Sequence, residues 1–222
     1  DDSPSSRGVF AFDPPPYVPP VEPSNGTVML RGGLSPVKDA YVGGGGDCSG
    51  GIFGGGDTPH PRDGLFVQNQ SDIADFPCFS KSYLYFDMSS LPAGKRLLSA
   101  TLTLHEYGGS DPSSAQPTQA QVFTIAEGWD PATLTWNNAP RARENVSMAQ
   151  VPVLPGFPGW PGVAVTWDVT GAIADAYARG APANLAIYSA DTAYHSGKYF
   201  VSSDTGDWNA VARPTLNITW GD

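Results

Sequence analysis

Tyr194, His195, Ser196, Gly197, Lys198 and Tyr199 gather a phenol, an imidazole, an amine and a second phenol around one glycine turn. A polysaccharide lyase needs such groups: a His or Tyr base to take the C5 proton, a Tyr to protonate the leaving oxygen, and a cation to neutralise the uronate carboxylate. On that reading His195, Tyr199 and Lys198 are the catalytic set. Alternation along an extended segment prevents all six from facing one substrate. The same residues therefore also read as ligand contacts, through Tyr194, His195 and Lys198, or as an ordinary polar hairpin.

Binding of neutral sugars asks instead for flat aromatic faces, which attract axial C–H groups, and for planar polar side chains that bridge hydroxyls. Of the six tryptophans, Trp136, Trp167 and Trp220 lie in strand-like contexts and read as core. Trp160 in GFPGWPG and Trp208 in DTGDWNA lie among turn residues, where they either plug an end of the fold or present a ring to ligand. Arg141 and Arg143, with Lys198, are the cations that would have to form a local basic patch if the ligand were a polyanion.

His60, His105 and His195 show no zinc-ligand spacing. Calcium takes carboxylate and carbonyl oxygens from irregular loops, and Asp39, Asp47, Asp57 and Asp63 cluster near glycines. They read either as a structural calcium site or as solvated, turn-capping acids, and no other cofactor is required. Cys48 and Cys78 either close a loop of about 30 residues, with a disulfide worth on the order of 3 kcal/mol, or remain free thiols. No G-x-S-x-G elbow occurs. With 22 acidic residues, no glycosidase carboxylate pair can be chosen from sequence.

The elements that must position these groups follow from composition and periodicity. The 222 residues carry 12 Lys plus Arg against 22 Asp plus Glu, a formal charge of -10, which disfavours nucleic acid as a partner. The 26 glycines and 22 prolines predict many turns and few helices. Four N-x-[ST] sequons, at Asn25, Asn69, Asn145 and Asn217, and the lack of an apolar run long enough to span a bilayer predict a mature, secreted, extracellular glycoprotein with no membrane contact, taken to be a monomer.

Residues 1–26 hold seven prolines and three aromatics, and read as an extended strap; residues 27–222 read as one domain. Residues 43–56 hold nine glycines, which predicts a long loop rather than a strand. In SATLTLHEY, Ala100, Leu102 and Leu104 share one face, while Thr101, Thr103 and His105 share the other. TLNITW repeats the pattern, with Leu216, Ile218 and Trp220 inward and Asn217 outward. Strands are also predicted at 64–68, 82–87, 121–126, 163–169, 184–189 and 198–203. One helix is predicted over 171–179, with Thr170 as N-cap, Ile173, Ala174 and Tyr177 buried, and Gly180 beyond its end. The economical architecture is an all-β, antiparallel, jelly-roll-like β-sandwich with one short helix.

Three blocks, YLYFDMSSLPAGKRLLSATLTLHEY at 83–107, WDPATLTWNNAP at 129–140 and WDVTGAIADAYARG at 167–180, together resemble the DNRLRE domain of extracellular carbohydrate-active proteins. LAIYSADTAYHSGKYFVSSD followed by RPTLNIT is similar to that family's closing strands. The resemblance implies a secreted β-sandwich, often appended to polysaccharide-degrading enzymes, with some relatives being alginate-binding modules. The expected function is binding of a polysaccharide through Trp160, Trp208, Tyr194, His195, Lys198 and Arg143. A small lyase or hydrolase on the same scaffold, or a structural wall or matrix protein, are the alternatives. The acidic balance favours a glycan that is not strongly anionic.

Overall fold

The alternation that begins at Ala100 builds the longest strand among the described residues, and two sheets are arranged around it. The computed structural model describes residues 24–45, 55–62, 64–69, 79–111, 113–191, 193 and 195–222. Its strands are β1 (Asn25–Arg31), β2 (Val37–Gly45), β3 (Leu65–Asn69), β4 (Phe79–Phe86), β5 (Arg96–Gly109), β6 (Thr118–Thr124), β7 (Asn145–Val151), β8 (Val163–Asp168), β9 (Ala183–Ser189), β10 (Lys198–Phe200) and β11 (Thr215–Gly221). Helix α1 (Thr170–Ala178) precedes β9, and a 3-10 helix (Asp207–Ala212) precedes β11.

Every strand pair is antiparallel. In the first sheet β5 has β11 and then β1 on one edge and β8 on the other. β10 takes over beside β5 where β11 ends, so Glu106 is flanked by Val163 and by Phe200. The second sheet runs β2, β4, β9, β6, β7. β3 belongs to both, pairing with β10 at residues 65–67 and with β4 at residues 68–69. Leu102, Leu104, Trp167, Phe200, Leu216 and Ile218 of the first sheet bury against Leu84, Phe86, Val122, Leu185 and Ile187 of the second. Each such side chain contributes about 1.5–3 kcal/mol of burial. Trp167 keeps its one polar atom satisfied by donating Nε1–H to the Ala120 carbonyl at 2.9 Å. The protein is thus an antiparallel β-sandwich with one short α-helix, as its composition and periodicity predict.

Three local differences have physical causes. β2 runs through residues 43–45, although glycine density predicted a loop there. Gly43 and Gly45 pair with Ser80 and Phe79 around a bulge, and Gly44, at φ +87°, lies where a Cβ would come within 2.7 Å of the Gly55 backbone. Thr170 is the first helical residue and not the cap. Its hydroxyl accepts from the Ala100 N–H at 2.9 Å and donates to Asp168 at 2.6 Å, tying α1 to β5. Gly180, at φ +65°, closes the helix as predicted, donating to Tyr177 O at 2.9 Å while Ala181 N–H reaches Ala176 O at 3.0 Å. β1, β2 and β7 carry no clear alternation in sequence, and β1 and β7 lie at sheet edges, exposed along one side. The proline-rich residues 1–23, Asp47, Cys48, Asp63, Cys78 and Tyr194 lie outside the described residues. Among the described residues no helix is long and apolar enough to cross a membrane.

Candidate functional site

Trp160 and Trp208, far apart in the chain, meet edge to face, with ring centroids 5.2 Å apart and planes at 80°. Phe157 packs against Trp160 at 5.1 Å and Tyr107 does so at 5.8 Å. Trp208, Phe157 and Trp160 are 69%, 61% and 49% exposed, so these rings are not core that happens to reach the surface. A contiguous uncovered patch of this kind is costly in water unless something binds it.

The loops that hold the cluster are fixed from behind. Gly159 and Gly162, at φ +80° and +96°, close a turn through Gly162 N–H to Gly159 O at 2.9 Å. A Cβ at Gly162 would lie 2.6 Å from Glu106 O, so only glycine lets the Trp160 loop press onto β5. Arg213 holds the other loop. Its guanidinium, nearly buried, donates to Thr205 O at 2.7 Å, to Gly32 O at 3.0 Å and to Asp207 Oδ1 at 2.8 Å. His105 lies beneath the 3-10 helix. Burial holds its imidazole below the ordinary range, partly opposed by a hydrogen bond with the Ala212 backbone. Rings continue inward from the surface cluster, from Tyr107 to Tyr199 at 6.3 Å, to Phe66 at 4.6 Å, to Tyr41 at 4.6 Å and to His60 at 4.2 Å.

A second aromatic region covers the outer face of the other sheet. Residues 129–140 fold over Ala40, Val42, Tyr83 and Ala186 and make a small core with Ile125 and Leu134. Tyr83 donates its hydroxyl to Pro140 O at 2.9 Å, and burial raises the phenol's pKa. Trp129 donates Nε1–H to Asn184 at 2.7 Å. Lys38 reaches Trp129 O at 2.7 Å across the faces of Tyr85 and Trp129. Lys81 sits 4.2 Å from the Trp136 ring centre and 4.6 Å from that of Tyr188. Trp136, expected in the core, is half-buried here, whereas Trp167 and Trp220 are buried.

The other predicted site residues do not join the Trp160 cluster as one set. Lys198 is 1% exposed, with Nζ donating to Gln116 O at 2.8 Å and Pro152 O at 3.0 Å and lying 3.8 Å from Glu106. Burial lowers its pKa against the pull of Glu106. It is therefore not part of a surface basic patch with Arg141 and Arg143, both exposed. Tyr199 points to the opposite face of β10 and joins the aromatic row. His195, at φ +60°, lies 3.7 Å from Asp111. Arg143 pairs with Glu127 at 3.0 Å on the surface, an interaction worth at most about 1 kcal/mol. Asp57 accepts from Asn137 at 2.7 Å, and Asp39 is buried in β2. Burial pushes the Asp39 carboxyl up to about 7, with Asp204 adding to the rise and the Ser203 hydrogen bond opposing it. Among the described residues no three His, Cys, Asp or Glu side chains form a group able to hold a metal by themselves. Of the sequons, Asn25 and Asn145 are exposed, while Asn69 and Asn217 are half-buried.

Sequence reasoning missed Phe157 and Tyr107. Phe157 shares the GFPGWPG turn with Trp160 and carried the same signal, an aromatic among turn residues. Tyr107 lies near the end of β5, and nothing local distinguishes it from a packing residue. It also missed Glu106, 0% exposed at the edge of a cavity of about 250 Å³ that Tyr107 and Phe157 share. Neither Glu106 oxygen has a hydrogen-bond partner, and burial raises its pKa to about 7 despite Lys198.

A sandwich that leaves rigidly backed aromatic side chains uncovered on its loops is built as a ligand-binding module. The chain matches the model of carbohydrate-binding module family 96 over residues 32–219, and it belongs to that family. Its role is accordingly in carbohydrate binding. No individual curated protein matches it.

Proposed function

We propose that Trp160, Trp208, Phe157 and Tyr107 are the platform on which a secreted form of this protein holds a neutral or weakly acidic polysaccharide. The observation that carries the reading is the exposed Trp160–Trp208 pair, edge to face and fixed from behind by Gly162 and Arg213. Such rings offer their electron-rich faces to the axial C–H groups of a sugar. A formal charge of -10, with Lys198 withdrawn from the surface, supports a ligand other than a strong polyanion such as alginate. The four sequons support secretion, with Asn25 and Asn145 as the most accessible glycan acceptors. Binding accounts for the geometry better than cleavage does, because Lys198 and Tyr199 face apart and the lysine is already spent on two carbonyls.

The test is retention on a panel of insoluble glycans with the parent chain and with Trp160→Ala and Trp208→Ala. Retention of the parent on at least one neutral glycan, lost in both variants, is the expected result. Equal retention of all three chains removes these rings from the site. Release of new reducing ends or unsaturated products above a heat-killed control would replace the binding reading with an enzymatic one.

A further inference from the structure

Four segments remote in sequence close around a cavity of about 380 Å³: the start of β2, residues 61–62, the loop at residues 130–132 and the turn at residues 203–204. Asp39, Asp130 and Asp204 all line it. Asp39 is 2% exposed; its Oδ2 accepts from Ser203 N–H at 2.8 Å, while Oδ1 is buried with no donor. Lys38 does not answer it, since that ammonium is turned to Trp129 O. Arg62 is the other cation in the wall and is exposed, with no ion pair to any of the three acids. Asp130 uses Oδ1 to accept from Ala132 N–H at 2.9 Å. A carboxylate oxygen removed from water with nothing to satisfy it costs free energy unless positive charge is supplied.

We propose that this cavity is a calcium site, with Asp39 Oδ1 as the anchoring ligand and Asp204 and Asp130 binding directly or through water. The acidic donors are hard carboxylate oxygens, which is calcium's preference, with Asp130 and Asp204 on irregular backbone and Asp39 on β2. The three acids do not enclose an ion by themselves. Backbone carbonyls and water complete the shell, as calcium's tolerance of about six to eight oxygens at variable geometry allows. Of the two aspartates that sequence pointed to and the structure describes, Asp39 lines the cavity and Asp57 does not; its companions come from the turn after β10 and from the 129–140 loop. An ion there would staple β2 to both.

The test is thermal unfolding of the full chain near neutral pH at low salt, in EDTA, in calcium and in magnesium, with no glycan present, so that it is independent of the platform. The expected result is a saturable rise in Tm of roughly 5–10 °C at calcium about a hundredfold above its Kd, smaller with magnesium. The rise should vanish in Asp39→Asn and shrink in Asp204→Asn. An identical Tm in EDTA and calcium, or a full rise in Asp39→Asn, overturns the assignment. If Asp39→Asn does not fold, the exposed Asp204 decides: an undiminished response in Asp204→Asn overturns it equally.

Discussion

The two aromatic regions of this sandwich use the same side chains to opposite ends. Over the second sheet, Trp129, Trp136, Tyr83 and Tyr188 are roofed by a loop, tied by hydrogen bonds to Asn184 and Pro140, and threaded by two lysines. Around Trp160 the rings of Trp160, Trp208 and Phe157 touch each other and face water, and among the described residues no lysine lies over them. What separates a structural aromatic from a binding one is whether its faces are already taken. In the first region cations and neighbours occupy them, and in the second Trp160, Trp208 and Phe157 keep much of their surface exposed.

That contrast can be broken experimentally, and the largest effect is expected from the roofed region. Trp129→Ala should cost about 3 kcal/mol in urea unfolding, through lost packing and the Asn184 hydrogen bond, and leave glycan retention of the folded protein unchanged. The double change Trp160→Ala and Trp208→Ala should reverse the pattern. Affinity should fall about 30-fold or more by isothermal titration, while stability moves by less than about 1 kcal/mol. Equal effects of both changes on binding would erase the distinction.

A third prediction concerns the acid behind the exposed cluster. Glu106 has its pKa raised from 4.5 to about 7 by burial. The folded protein therefore keeps a proton that the unfolded chain has lost, and stability falls as pH rises through that window. Glu106→Gln should flatten unfolding free energy against pH between those values, removing a fall of about 3 kcal/mol across the window as read by urea unfolding. The smallest effect belongs to Lys81→Met, which keeps the stem but removes the charge between Trp136 and Tyr188. It should cost about 0.5–1 kcal/mol and leave glycan retention intact. Reduced retention there would show that the roofed face also touches ligand.

Legibility in the sequence followed the range of the interactions. β5 and β11 were readable because alternation is local, and Gly180 because a helix end needs one residue at positive φ. Trp160 and Trp208 stood out because large aromatics among Gly and Pro have no local packing reason. That they touch could not be read, since it depends on β5 and Arg213 bringing two distant loops together. Lys198 looked available because its neighbours are polar; only the sandwich shows that alternation points it inward. Asp39 read as a loop acid because the glycines after it hid β2.

Arg213 has one more consequence, for the order in which the protein matures. Its guanidinium links Gly32, beside β1, to the segment that carries Trp208, just before β11 pairs with β1 and β5. Such non-local closure comes late in folding, because chain entropy must be given up before the contacts reward it. A chain whose last strand is still being synthesised would then carry its tryptophans without the proposed platform. Glycan retention becomes a reporter of completed folding, and a sugar column would separate finished molecules from those whose closing strand has not yet docked.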